Sequence, residues 1–179
     1  MQIDSTELSR LNFYRASELH GGLVLGQLVQ RVRDPELTLN LTRHSAEEVR
    51  HAQLWTETIL EVGGEPHPLR DTYQRRLAHI VGAPASVFQV LALTQVFERR
   101  VFRHFIQHAR IPGTHAAVRG ALEQMIEDEK GHLSWVADWL QVEAERRRVD
   151  LRSVMDQFAV ADARVYGELL YEYGFRIAA

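Results

Sequence analysis

A chain of 179 residues that is 45% hydrophobic, 25% charged and poor in proline has the make-up of one ordinary globular domain, long enough to bury a single core without staples. With no cysteine, disulfides, iron–sulfur clusters and thiolate zinc sites are excluded, so any metal must be held by oxygen and nitrogen. A formal net charge of −3 with mixed signs offers no basic face for nucleic acid and no polybasic anchor.

The start, "MQIDSTELSR", lacks a leader pattern, and no run approaches the roughly 20 apolar residues of a bilayer span, so a cytoplasmic protein is expected. Asp4 with Glu7 three residues on resembles a capping box, followed by an apolar stripe through Leu8, Leu11, Tyr14, Leu25 and Val29. This first helix is predicted to run to about Arg33. Asp34-Pro35 then stops and restarts the chain, with Asp34 as N-cap and Pro35 at the first helical position. The second helix carries Leu41, Ser45, Glu48, Ala52, Trp55, Ile59 and Val62 down one face, and Gly63-Gly64 ends it.

Residues 65 to about 83 read as a crossing segment with one short helix around Tyr73 to Ile80. A third helix is predicted from near Pro84, with Val87, Leu91, Thr94, Glu98, Val101, Phe102 and Phe105 as its stripe, broken at Ile111-Pro112-Gly113. Thr114 is expected to cap the fourth, whose stripe is Val118, Leu122, Met125, Glu129, His132, Val136 and Leu140, and which should fray in "EAERRR". A fifth helix follows from Leu151 to about Tyr173, and no segment alternates as a strand does. The expected fold is all-α: a four-helix bundle over residues 1–148 with a long crossover between its second and third helices, and an extra C-terminal helix, 149–179, packed on it.

Each of the four stripes is interrupted by a glutamate: Glu18, Glu48, Glu98 and Glu129. A lone buried carboxylate costs several kcal/mol, so four of them call for a common partner. Glu18 and Glu48 have their midpoint beside the Asp34-Pro35 break, and Glu98 and Glu129 have theirs at Pro112-Gly113. Each pair therefore lies level in an antiparallel hairpin, roughly 22 Å from its turn. "EEVRH" and "DEKGH" each add a histidine three residues after the glutamate, placing His51 and His132 on the same faces as Glu48 and Glu129. A single Glu-x-x-His is usually surface chemistry, but two copies on level apolar stripes put four carboxylates and two imidazoles around one point. That set suits two hard divalent cations bridged by carboxylates.

At these residues the chain resembles the ferritin-like superfamily, bacterioferritins most readily. "HSAEEVRHAQLWTETILEVGGEP" and "LEQMIEDEKGHLSWVADWL" are similar to that family's second and fourth helices, and the resemblance covers about residues 8 to 141. It implies Glu18 and Glu98 as terminal or bridging ligands, Glu48 with His51 and Glu129 with His132 as paired ligands, and two iron ions as cofactor, with manganese or a mixed pair as alternatives. It further implies Asp128 as an acceptor for the outer N–H of a ligand histidine across the site, and Glu47, longer by one methylene, either as the matching acceptor or as a solvated neighbour. Val49 stands where bacterioferritins carry a haem-ligating methionine, so no haem is expected, and the Cys-rich module of rubrerythrins is missing.

Reaction with O2 or peroxide is the chemistry the resemblance implies, in a protein expected to be a homo-oligomer. Three readings stay open. A di-iron oxidase or oxygenase acting on a small or lipid-like molecule should have a cavity beside Gly22 and form a small oligomer. A ferroxidase of iron storage or detoxification should form a hollow shell, and a non-enzymatic helical interaction protein would hold structural metal that never turns over. The first is preferred, because the C-terminal helix departs from the storage proteins and Leu25 stands where their tyrosine would be. Gly21, Gly22 and Gly26 either open that cavity or let two helices approach closely. Tyr14 and Trp55 are candidate electron relays or simply packing. The other histidines, 20, 44, 67, 79, 104, 108 and 115, are read mostly as solvated, with His44 and His104 possible at a channel mouth.

Overall fold

The computed structural model describes residues 3–68, 71–82 and 84–173, and among these the regular structure is helical throughout. In chain order the helices are α1 (Ser5–Val29), α2 (Pro35–Glu61), α3 (Tyr73–Val81), α4 (Val87–Ala109), α5 (Ala116–Arg147) and α6 (Leu151–Glu172). The sequence signals for starts and stops act as capping chemistry requires in most places. The Asp4 carboxylate accepts from the Glu7 N–H and that of Asp34 from the Leu37 N–H, each at 2.7 Å. Gly63 and Gly82 take positive φ just past α2 and α3, and Gly113 does so in the turn between α4 and α5.

Three boundaries differ from expectation. Helix α1 ends at Val29 rather than near Arg33, because the amides of Arg31 and Val32 bond back to Leu28 and Val29 in a tightened last turn that frees the chain to reach Asp34. Thr114 does not cap α5. Its hydroxyl turns back to the Ile111 carbonyl at 2.9 Å, and the His115 ring accepts the Ala117 N–H instead. Nor does α5 fray in its charged run: Glu143 accepts from Arg146 and Arg147 one turn on, at 2.7 and 2.6 Å, and the helix holds to Arg147 before Arg148 enters the left-handed region at φ 56°.

The most extensive packing is between α1 and α2 and between α4 and α5, with α2 lying against α5 and α6 against α4 and α3. Glycines set the α1–α2 spacing. A Cβ on Gly22 would stand 2.8 Å from Val49 Cγ2 and 3.0 Å from the Ser45 carbonyl, and the Ser45 hydroxyl donates to the Gly22 carbonyl at 2.7 Å. Gly22 is therefore a close-approach residue and not the wall of a cavity.

Two apolar clusters result. One gathers Leu11, Tyr14, Trp55, Ile59, Phe105, Leu122 and Met125, joined by Leu77 of α3 and by Val165 and Leu169 of α6. The other gathers Leu25, Leu28, Leu41, Leu91, Val136 and Leu140, with Met155 and Phe158 of α6 against it. Along every one of α1, α2, α4 and α5 the chain passes from one cluster to the other through its interrupting glutamate. The carboxylates thus form a polar layer between two dry ones.

Candidate metal centre

All six side chains singled out by spacing are buried in that layer: Glu18, Glu48, His51, Glu98, Glu129 and His132 range from 2% to 7% exposed. They form two groups whose ligand atoms lie within 4.8 Å of one another: Glu18, Glu48, His51 and Glu129 in one, His44, Glu48, Glu98 and His132 in the other. Glu48 belongs to both. Glu129 also spans them, with Oε1 at 4.0 Å from His51 Nδ1 and Oε2 at 3.5 Å from His132 Nδ1.

The histidines are oriented by their outer nitrogens. His132 Nε2 donates to Glu47 Oε2 at 2.8 Å and His51 Nε2 to Asp128 Oδ2 at 3.3 Å. Each acceptor comes from the other hairpin, and each is itself partly exposed, so the outer N–H of a buried ring is tied to a carboxylate at the rim. This holds a proton on Nε2 and turns Nδ1 inward. Both Nδ1 atoms are buried without a hydrogen-bond partner, as are Glu98 Oε2 and Glu129 Oε2. Buried polar atoms are rarely left so, and here the orphans converge on one volume. The donor set, oxygen and imidazole nitrogen with no sulfur, fits hard or borderline divalent cations.

Electrostatics point the same way. Burial pushes Glu18 and Glu129 upward, with neighbouring carboxylates adding to the effect. Burial would raise Glu48 too, but the hydrogen bond and charge of His44 and the charge of His132 outweigh it, holding Glu48 at about 2. His51 would be lowered by burial, yet Glu18 draws it up to about 9. The imidazoles are thus drawn towards the charged form by the carboxylates they face, as compensation for excess negative charge in a dry interior. Divalent cations would displace those protons, since ligands bind metal deprotonated.

One member of the cluster was misread from the sequence. His44, expected among the solvated histidines or at a channel mouth, is 1% exposed. Its Nε2 lies 3.2 Å from Glu48 Oε1 and 3.1 Å from Glu98 Oε1, and its ring stacks on His132 with centroids 3.7 Å apart. The local signal was its place one turn before Glu48 on the same face. His104 and His108 are likewise buried, at 5% and 2%.

The latter two belong to a hydrogen-bonded chain that joins the partly exposed Glu7 and Tyr166 through the buried hydroxyl of Tyr14. Glu7 Oε1 lies 2.8 Å from His108 Nε2, and His108 Nδ1 lies 3.1 Å from the Tyr14 hydroxyl. That hydroxyl is 2.6 Å from His104 Nε2, and His104 Nδ1 is 3.0 Å from the Tyr166 hydroxyl. Burial, then the charges of His108 and Arg100, hold His104 well below the usual histidine range. A neutral imidazole has one donor and one acceptor, so one of the two hydroxyls donates to His104 while the other accepts. Tyr166 and Tyr14 both line a cavity that reaches Glu18 and Glu48.

No family model matches the chain, and neither does any curated protein or solved structure. Among the described residues, no helix is long and apolar enough to cross a membrane.

Proposed function

We propose that the protein is a ferritin-like di-metal carboxylate oxidoreductase, loaded with two iron ions or a manganese-containing pair, that activates O2 or peroxide towards a small organic molecule. The observation that supports this best is the pair of four-residue groups sharing Glu48, with the Nδ1 atoms of His51 and His132 turned inward and their Nε2 atoms anchored outward. Glu18 and His51 would hold one ion and Glu98, His132 and His44 the other, with Glu48 and Glu129 between them. Bound iron would supply the redox chemistry with O2 or peroxide.

The protein's own groups do the rest. The two apolar clusters on either side of the carboxylate layer keep bulk water out, which strengthens every charge interaction inside. The chain Glu7–His108–Tyr14–His104–Tyr166 can pass a proton from Glu7 to the cavity: His108 takes a proton at Nε2 and gives its Nδ1 proton to Tyr14, Tyr14 gives its own to His104 Nε2, His104 gives its Nδ1 proton to Tyr166, and the Tyr166 hydroxyl proton leaves to a basic group on a molecule in the cavity. Burial keeps Tyr14 protonated by raising it well above the usual tyrosine range, so its hydroxyl is available as a link.

A cavity bordered by Glu18 and Glu48 favours a small-molecule substrate over iron storage, which needs none. Anaerobic addition of ferrous iron followed by O2 tests the choice. The proposed activity requires rapid oxidation that stops at two irons per chain and O2 uptake that continues with a reductant. Continued growth of a ferric mineral would favour storage, and no O2 uptake at all would leave only a structural metal.

A further inference from the structure

We propose that the cavity between Glu18 and Arg100 is a binding site for a small organic acid, whose carboxylate is received by the Arg100 guanidinium. This deepens the proposed function, and rests on it for what the bound molecule would undergo. The cavity measures about 40 Å³, room for about three water-sized bodies and so for a molecule of few heavy atoms. Its apolar lining comes from Phe13, Phe97, Val101, Phe105 and Leu169.

Three of the residues that line it each have a buried polar atom with no hydrogen-bond partner: Arg100 Nη2, Ser17 Oγ and Gln74 Oε1. Each has been left open while the rest of its side chain or backbone is committed. Arg100 donates through Nε to both oxygens of Asp162, at 3.0 Å each, so the pairing does not use Nη2. Asp162 also accepts the Tyr73 hydroxyl. The guanidinium is clamped between two rings, its Cζ 4.7 Å from the Tyr73 centroid and 4.5 Å from that of Tyr166. It cannot swing away to find another acceptor.

Gln74 is fixed in the same manner. Its Nε2 donates to the Ser17 carbonyl at 2.9 Å, which leaves the amide oxygen as a free acceptor. The site therefore offers a cationic planar donor, a hydroxyl donor and one neutral acceptor around an apolar void. A carboxylate matches the guanidinium, because both are planar and the hydrogen bond is charge-assisted. A hydroxyl or amino group on the same molecule matches Gln74 Oε1. The class that satisfies all three atoms is a two- or three-carbon hydroxy or amino acid, lying with one side towards Glu18 and Glu48.

Calorimetric titration of the full chain, as isolated and loaded with redox-inactive zinc, tests this with glycolate and its uncharged amide as probes. One acid should bind per chain, with the amide at least about tenfold weaker, as the loss of a buried charge-assisted hydrogen bond implies. The neutral pair Arg100→Gln with Asp162→Asn should lower acid affinity by a similar factor. Val101→Phe, which fills the cavity and leaves the Arg100–Asp162 pair intact, should abolish binding, and serves if the double variant does not fold. Equal binding of acid and amide, unchanged affinity in Val101→Phe, or a cavity that takes up only water would overturn the proposal. Acid binding without O2 uptake on iron loading would sink the proposed function alone, and O2 uptake without acid binding would sink this inference alone.

Discussion

His51 and His132 each reach across to a carboxylate carried by the opposite hairpin, Asp128 and Glu47, and those two rim residues decide which ring nitrogen faces inward. Removing an outer partner of a ligand histidine commonly lowers metal affinity 10–100-fold. Asp128→Ala and Glu47→Ala should each weaken cobalt(II) or manganese(II) binding by about that factor, read by competition with a chelator, with little change in melting temperature because both side chains are partly exposed. His104 carries a pH expectation. Its folded-state value is depressed by burial, so its neutral form is compatible with the fold and its charged form is not. This residue leaves stability unaffected above the unfolded value of about 6.5 and reduces it as pH falls below that, by at most about 1.4 kcal/mol per pH unit. Denaturant titrations of the metal-loaded protein between pH 7 and 5 should show that loss, and His104→Gln should flatten it. The six cluster residues were legible because a glutamate on an apolar stripe is expensive and must be answered. His44 was not, since its partners Glu98 and Trp135 lie on other helices and only Glu48 is local.

At the scale of elements, the level pairing of Glu18 with Glu48 and of Glu98 with Glu129 depends on how closely each hairpin closes. Gly22 sets that distance for α1 and α2. Gly22→Ala should destabilise by about 1–3 kcal/mol, because the new Cβ meets the backbone carbonyl of Ser45, which cannot move as a side-chain tip can. Equilibrium unfolding measures it, and a neutral result would mean that the hairpin has slack. Gly21→Ala presses instead on Glu48 Oε2, at 2.9 Å, and should disturb metal binding more than folding. Helix cores and the crossing segment were readable from stripes, caps and prolines. The ends of α1 and α5 were not, because a tightened last turn and a Glu143–Arg pair override composition, and the Thr114 hydroxyl found a nearer carbonyl than the helix amides.

For the molecule as a whole, α6 converts an interior cluster into one with an adjoining cavity. Tyr166 comes from α6, Arg100 and His104 from α4, Tyr73 from α3, Glu48 from α2 and Tyr14 from α1, so the pocket exists only when five elements assemble. Nothing in the spacing of a single helix announces it, which is why the carboxylate layer was visible in the sequence and the pocket beside it was not. Anomalous diffraction from crystals soaked in manganese(II) tests that layer most directly. Two peaks per chain are expected, one among Glu18, Glu48, His51 and Glu129 and the other among His44, Glu48, Glu98 and His132. Peaks confined to surface carboxylates, with the interior group holding none, would contradict it.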